Sequence, residues 1–432
     1  MKTMKMAMGF FAVCLALGAA AADISGVTVR QRWPWSRLVD IDYVLTDATQ
    51  AVDVAVTAYN GLTPLTLPDG SLSGDRYGVS SDGTHRIVWD PTVTAYTNNE
   101  VLAKFKVSLT PTTTPSYMIV DLTTGEVSYQ YCGTNVWEDV TNEVYKTDKL
   151  LLRRILAGTF VMGSPSGEPG RTAANEDLHR VTLTKDYYIG VYEVTQVQWQ
   201  HLMSTVCSWP SVWSNSADRP TRPVETVSYN DVRGAANGSK WPSSRDVDAS
   251  SFFGKLQTLT HTNTFDLPTE AQWEYACRAG TTNSYNDGLG NPSNFTLNDQ
   301  MNALGRYLYN GGKIYNTSNS TWVEPDHSCG ATNGTAKVGT YARNLWGLYD
   351  MHGNVYEWCL DWYGLNDSNA DDGHLGTDPV TDPVGPVSGS KHVKRGGEWG
   401  VAASNCRSAW RGPDLPTYRS RSIGFRVVSR LP

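Results

Sequence analysis

The 432-residue chain is too long for one small domain, and its 40% hydrophobic content is enough for two or three packed cores. Its net charge is −7, and no basic run stands out, which argues against a nucleic-acid partner. The 15 tryptophans and 22 tyrosines are many for this length, and large aromatics line recognition surfaces as well as cores.

The chain opens as an export signal, with Lys2 and Lys5 ahead of an apolar run at residues 9–17 and an Ala20-Ala-Ala22 cleavage site before Asp23. Residues 1–22 are therefore expected to be removed, leaving a secreted or periplasmic (cell-envelope) protein. The apolar run is too short to span a bilayer and no later segment approaches that length, so no transmembrane segment is expected. Beyond Cys14, inside this run, lie Cys132, Cys207, Cys277, Cys329, Cys359 and Cys406. An even count in an exported chain implies disulfides, but the spacings leave the pairing open and form no C-x-x-C.

Residues 27–30, 38–45, 52–58, 86–89, 101–109 and 117–122 read as short strands, with turn clusters such as Pro68-Asp-Gly70 between some of them. That pattern predicts a β-sandwich of immunoglobulin or fibronectin type over residues 23–125, serving as a spacer or adhesion module. Residues 126–150 read as a linker. From 151 to 432 the pattern becomes short strands, a few capped helices and long Gly/Asn-rich loops.

In this second domain, residues 151–162 and 180–189 read as strands. Thr195-Gln-Val-Gln198 and Thr269-Glu-Ala-Gln272 are capping boxes that open helices. A third helix is predicted over 247–259 with Asp248 as its N-cap. Loops as long as 280–340 need metal, disulfides or partner contacts to stay ordered. Residues 367–373 hint at an EF-hand loop, but the glycine falls one place late, and the segment reads as a solvated loop. Strands return at 391–395 and 423–428.

The densest segment is 344–362, Asn-Leu-Trp-Gly-Leu-Tyr-Asp-Met-His-Gly-Asn-Val-Tyr-Glu-Trp-Cys-Leu-Asp-Trp. Oxygen donors set among glycines and tryptophans suit a small hard cation, and they equally suit a loop whose acids cap backbone amides.

Five ordered motifs then add up to a resemblance: Gly158-Thr-Phe-Val-Met-Gly-Ser164, the run from Phe265 to Arg278, the run from Gly347 to Trp358, Gly396-Gly397 and Gly424-Phe-Arg426. Together they resemble the formylglycine-generating enzyme, or sulfatase-modifying factor, family over about the last two-thirds of the chain. The resemblance implies an α+β domain with little regular structure, related to the C-type lectin fold. It also implies calcium held by the side chains of Asp350 and Glu357 and the carbonyls of Gly353 and Val355. A second family calcium site cannot be carried over, and Asn302 is its only trace. A Cys277–Cys406 disulfide is likewise implied.

The family's chemistry transfers poorly. Its enzymes oxidise a cysteine of a sulfatase Cys-x-Pro-x-Arg segment to formylglycine, using oxygen and copper(I) held by two thiolates. Residues 398–405 contain no cysteine, and Glu398 stands where those enzymes have serine, so copper is not expected. The eight histidines include no H-x-x-x-E-x-H pattern of the related iron-dependent sulfoxide synthases, and His352 is expected to pack or face solvent. The expectation is a non-catalytic, calcium-stabilised binding or scaffold module. It would meet a protein or carbohydrate outside the cell through Trp399, Trp410, Tyr418 and Arg419 on and beside the loop at 412–422. The alternative is an oxidoreductase acting on a sulfatase cysteine through a variant site, with Cys329 and Cys359 as thiols.

Overall fold

The computed structural model describes residues 22–430 apart from 33–34, 49–51, 66, 68–70, 77–78, 80–81, 92–103, 113–115, 131–139, 173–174, 205–218, 290, 293–297, 313, 317–320, 324–333 and 365–378. The signal segment, the EF-hand-like run, Cys132, Cys207 and Cys329 thus lie outside the described residues. Among the described residues no helix is long and apolar enough to cross a membrane.

The N-terminal unit has two antiparallel sheets. One orders Asp23–Gln31, Val39–Thr46, Gly83–Trp89 and Leu72–Gly74; the other orders Thr63–Leu65, Asp53–Asn60 and Phe105–Thr112. Strand period places Val39, Ile41, Tyr43 and Leu45 on one face, and they share a single apolar cluster with Val54, Ile87 and Trp89. The Trp89 and Phe105 rings stack 4.7 Å apart and tie one sheet to the other. Asp40, on the opposite face, is buried because Arg30 and Arg32 close over its carboxylate at 2.7 and 2.6 Å.

Two boundaries differ from expectation. The strand Tyr117–Asp121 does not join the N-terminal sheets. It pairs antiparallel with Lys149–Ile155 in a six-stranded sheet ordered Phe265–Asp266, Val428–Arg430, Tyr187–Gly190, Lys149–Ile155, Tyr117–Asp121, Val127–Gln130. Residues Tyr117 to Val120 are all buried, the mark of a strand covered on both faces. The second domain therefore begins before Tyr117, and the stretch read as a linker contributes the strand Val127–Gln130 and a 3-10 turn at Glu143–Lys146. Asp53 of the first unit marks the seam: the Ser116 hydroxyl donates to it at 3.0 Å, and Arg154 lies 3.5 Å away.

Elsewhere the second domain is α+β with few and short helices. The run at 151–162 splits into Lys149–Ile155 and Gly158–Met162. Both capping boxes form, opening Gln196–Met203 and Glu270–Arg278. The third helix is shorter than predicted, Phe252–Thr260, with Ser251 as its cap. Asp248 is drawn off instead to the amides of Ala236 and Asn237, at 3.0 and 2.8 Å. A four-stranded sheet, ordered Gly412–Asp414, His392–Arg395, Tyr356–Trp362, Ile423–Gly424, carries the motifs at its centre. All seven residues of Tyr356–Trp362 are buried, and a buried large apolar side chain contributes roughly 1.5–3 kcal/mol.

Candidate functional site

The segment 344–362 enters its strand through tight left-handed turns, with φ of +84° at Gly347, +58° at Asp350, +94° at Gly353 and +66° at Asn354. These turns aim the acids inward. Both oxygens of Glu357 are engaged by Arg426, Nη2 to Oε1 at 2.7 Å and Nε to Oε2 at 3.0 Å, and the Trp273 indole donates to Oε2 at 2.8 Å. Arg426 also donates to the carbonyls of Gly190, Val191 and Tyr349. Glu193 accepts from the Asn354 side-chain amide at 2.6 Å and from the Val355 backbone at 3.2 Å. Asp350 accepts from the Gly339 backbone at 2.6 Å, while its Oδ1 is buried without a partner.

Glu193, Asp350 and Glu357 thus crowd one guanidinium, and the charge does not balance. Burial, then repulsion from Asp350 and Glu357, pushes Glu193 well above the usual carboxylate range. Burial also raises Asp350. Among the described residues no three His, Cys, Asp or Glu side chains come together closely enough to hold an ion by themselves. Backbone carbonyls would have to complete any shell. The orphaned Asp350 oxygen fits a hard cation, which would take the place of the proton that burial keeps on Glu193. Glu357 fits less well, since Arg426 and Trp273 occupy most of its lone pairs.

The expected disulfide is absent: Cys277, Cys359 and Cys406 are buried free thiols. The His352 imidazole stands between the two that were expected to pair. Its Nδ1 lies 2.7 Å from the Cys406 carbonyl and its Nε2 lies 3.8 Å from the Cys277 sulfur. The Asn286 backbone N–H donates to Nε2 at 3.2 Å, so the proton belongs on Nδ1. Cys277 Sγ faces the Met351 carbonyl and Ser408, whereas Cys406 Sγ faces the Ala402 carbonyl. Burial pushes Cys277 up to about 12, raises Cys406 and Cys359 as well, and lowers His352 to about 4. His352 is therefore a neutral, buried strut, and the solvent-facing alternative does not apply.

The expected contact surface is only partly a surface. Trp399 is 6% exposed, its indole donating to the Arg421 carbonyl at 3.2 Å, so it covers the core. Arg419 is committed to Asp231 through bonds of 2.7 and 2.6 Å. Tyr418 is 42% exposed, and half-buried Trp410 stacks on Tyr356 at 5.1 Å. The residue that joins them is Lys394, whose ammonium sits 4.1 Å over the Tyr356 ring, 5.9 Å from Tyr418 and 2.6 Å from Asp414. Below this face lies Glu398, 8% exposed, accepting the Gly400 amide at 2.5 Å.

Burial pushes the Glu398 carboxyl up to about 7. An acid raised from 4.5 to about 7 holds its extra proton in the folded state, so the contribution of Glu398 to stability is fully present below pH 4.5 and is lost as pH rises from 4.5 to 7. Glu398→Gln should remove that slope, a difference of roughly 3 kcal/mol between the ends of the window, readable from urea midpoints against pH.

Residues 139–431, more than half of the chain, match the sulfatase-modifying factor enzyme 1-like domain. The chain belongs to the sulfatase-modifying factor family. It is 26% identical over 303 residues to the formylglycine-generating enzyme of Mus musculus, covering 64% of this chain and 74% of that protein. It is 30% identical over 225 residues to the formylglycine-generating enzyme of Thermomonospora curvata, covering 50% of this chain and 58% of that protein. Among solved structures, Treponema denticola variable protein 1 aligns with a TM-score of 0.47 at 24% identity, over 66% of this chain and 96% of that one. PvdO from Pseudomonas aeruginosa aligns with a TM-score of 0.44 at 24% identity, over 65% and 94%.

In this sulfatase-modifying factor domain the groups named from the sequence fall into three places. Asp350 and Glu357 meet in the acidic cluster, Cys277 and Cys406 flank His352, and Trp410 with Tyr418 edges the Lys394 face. Sequence reasoning missed Glu193, Arg426 and Lys394 as participants. A lone acid in the apolar run Val191-Tyr-Glu-Val194 was the available signal for Glu193. Asn302 accepts from the Tyr307 hydroxyl at 3.2 Å.

Proposed function

We propose that this sulfatase-modifying factor domain is a non-catalytic, exported binding or scaffold module, meeting an extracellular protein or carbohydrate at the Tyr356–Lys394–Trp410–Tyr418 face. The N-terminal two-sheet unit is read as an immunoglobulin- or fibronectin-type spacer. One observation carries the reading: residues 398–405 hold no cysteine, and Cys277, Cys359 and Cys406 are buried and held as neutral thiols. Copper(I) needs a pair of deprotonated soft ligands, and none of these thiols offers that. Cys359, a thiol of the variant-site alternative, lies inside the fully buried strand Tyr356–Trp362. The expected result is that the full chain shows no tight copper(I) binding by competition titration and consumes no oxygen with a Cys-x-Pro-x-Arg peptide. Stoichiometric copper binding with turnover would replace this reading with the oxidoreductase one.

Calcium belongs to the same proposal. Asp350 through Oδ1, the Gly353 and Val355 carbonyls and the remaining Glu357 lone pair would hold it, in place of the proton on Glu193. At calcium a hundredfold above its Kd the domain would gain about 2.7 kcal/mol. Melting of the full chain should shift upward with calcium and back with chelator, and Asp350→Ala should abolish the shift. No response of the unsubstituted chain to chelator would remove calcium from the account.

A further inference from the structure

A second recognition site emerges on another wall of the domain. A cavity of about 910 Å³ runs along the sheet edge beside Asp266, Val428 and Arg430. A neighbouring cavity of about 250 Å³ shares Arg245, Asn263 and Arg430 with it. Neither is lined by Tyr356, Lys394, Glu398, Trp410 or Tyr418.

Arg245 and Arg430 stand on this shared wall, and Lys185 lines the larger cavity as well. Arg430 donates Nη2 to the Asn263 carbonyl at 2.8 Å, and its Nε is buried without a partner. Arg245 lies 4.8 Å over the Trp241 ring, which orients its guanidinium without neutralising it. Two of the acids nearby are engaged by other arginines: Asp266 is bonded to Arg233 at 2.6 and 3.0 Å, and Asp186 to Arg154 at 2.7 Å. Asp382, exposed on the larger cavity and bonded to the neutral Thr184 amide at 2.8 Å, and Asp246, exposed on the smaller one, remain as local counter-charges. Two guanidinium forks on one wall of this groove match the planar oxygens of a sulfate ester or carboxylate.

We propose that the groove binds an acidic saccharide, with a sulfate ester or carboxylate held between Arg245 and Arg430 and the sugar hydroxyls meeting Asn263, Thr264 and Gln272. The lining combines Thr264, Thr269 and Gln272 with the apolar Leu183, Leu267, Pro383 and Val428, which suits a pyranose ring with its hydroxyl rim and C–H faces.

The test is calorimetric titration of the full chain with a chondroitin sulfate tetrasaccharide, its desulfated counterpart and a glutamate tetrapeptide. Expected are binding of the sulfated sugar that weakens with salt, at least tenfold weaker binding of the desulfated one, and a further tenfold loss in Arg245→Gln/Arg430→Gln. Arg245→Gln alone, at a side chain with no hydrogen bond to lose, keeps the measurement interpretable if the double variant fails to fold. Undetectable binding, or binding that neither variant weakens, overturns the proposal. Equal affinity for the peptide overturns the saccharide assignment.

Discussion

Replacing Arg426 with methionine should lower the stability of the chain by about 3–5 kcal/mol, the largest effect expected of any single side chain in the site. The guanidinium is fully buried and makes bonds to both Glu357 oxygens and to three backbone carbonyls. Methionine restores the volume and none of the charge, leaving Glu193, Asp350 and Glu357 buried together with no cation. Carbonyls of Gly190 and Tyr349 lose the Arg426 donor as well, while that of Val191 keeps the Tyr349 N–H at 3.0 Å, and each buried group left unsatisfied costs about 1–3 kcal/mol. Arg426→Lys should fall between, because an ammonium cannot engage both carboxylate oxygens as a fork does. Removing the partner too, in Arg426→Met/Glu357→Leu, should recover part of the loss, since an apolar pair outperforms an uncompensated charge. Urea midpoints of the three variants check the order. A double variant less stable than Arg426→Met would mean that Glu357 works independently of the pair.

Gly353→Ala should cost at least about 3 kcal/mol, whereas Gly288→Ala should cost only about 1–2 kcal/mol. Both glycines have positive φ, +94° and +73°. The difference is space. A Cβ on Gly353 would sit 2.1 Å from the Arg306 carbonyl oxygen, while one on Gly288 would meet nothing within 4 Å. The obstruction at Gly353 is backbone and is pinned, because the Asn354 N–H donates to the same Arg306 oxygen at 2.8 Å and the Gly353 N–H donates to Gly396 at 2.7 Å. No rotamer change can relieve it. Equal denaturation midpoints for the two variants would show that the close approach at Gly353 relaxes freely.

What the sequence revealed and concealed follows the range of the interactions. Capping boxes at Thr195 and Thr269 were legible because donor and acceptor lie three residues apart. Asp248 misled because its acceptor oxygens find amides twelve and eleven residues away, and nothing local marks that choice. Residues 117–122 were recognisable as a strand, but the partner lies at 149–155, and β-periodicity carries no address. Within the site, the ordered motifs singled out Asp350 and Glu357, and the structure places both near the Arg426 guanidinium. The motifs did not show that Arg426, some seventy residues later, already occupies Glu357. Spacing also did not show that the Cys277 thiol faces Met351 and Ser408 while the Cys406 thiol faces Ala402.

The strand pair His392–Arg395 and Gly412–Asp414 leaves the segment between them tethered at both ends, Lys394 opposite Gly412. Inside that segment Arg407 is clamped by Glu168 and Glu176, and Arg395 and Arg411 share Glu270. Residues 400–402 are half-buried, and Val401 packs against the apolar core while its carbonyl accepts the Leu308 N–H at 2.9 Å. The loop is pinned at both ends and at its middle, so residues inserted there would pull Val401 off the core and cost more than the roughly 0.6 kcal/mol that each doubling of a free loop adds.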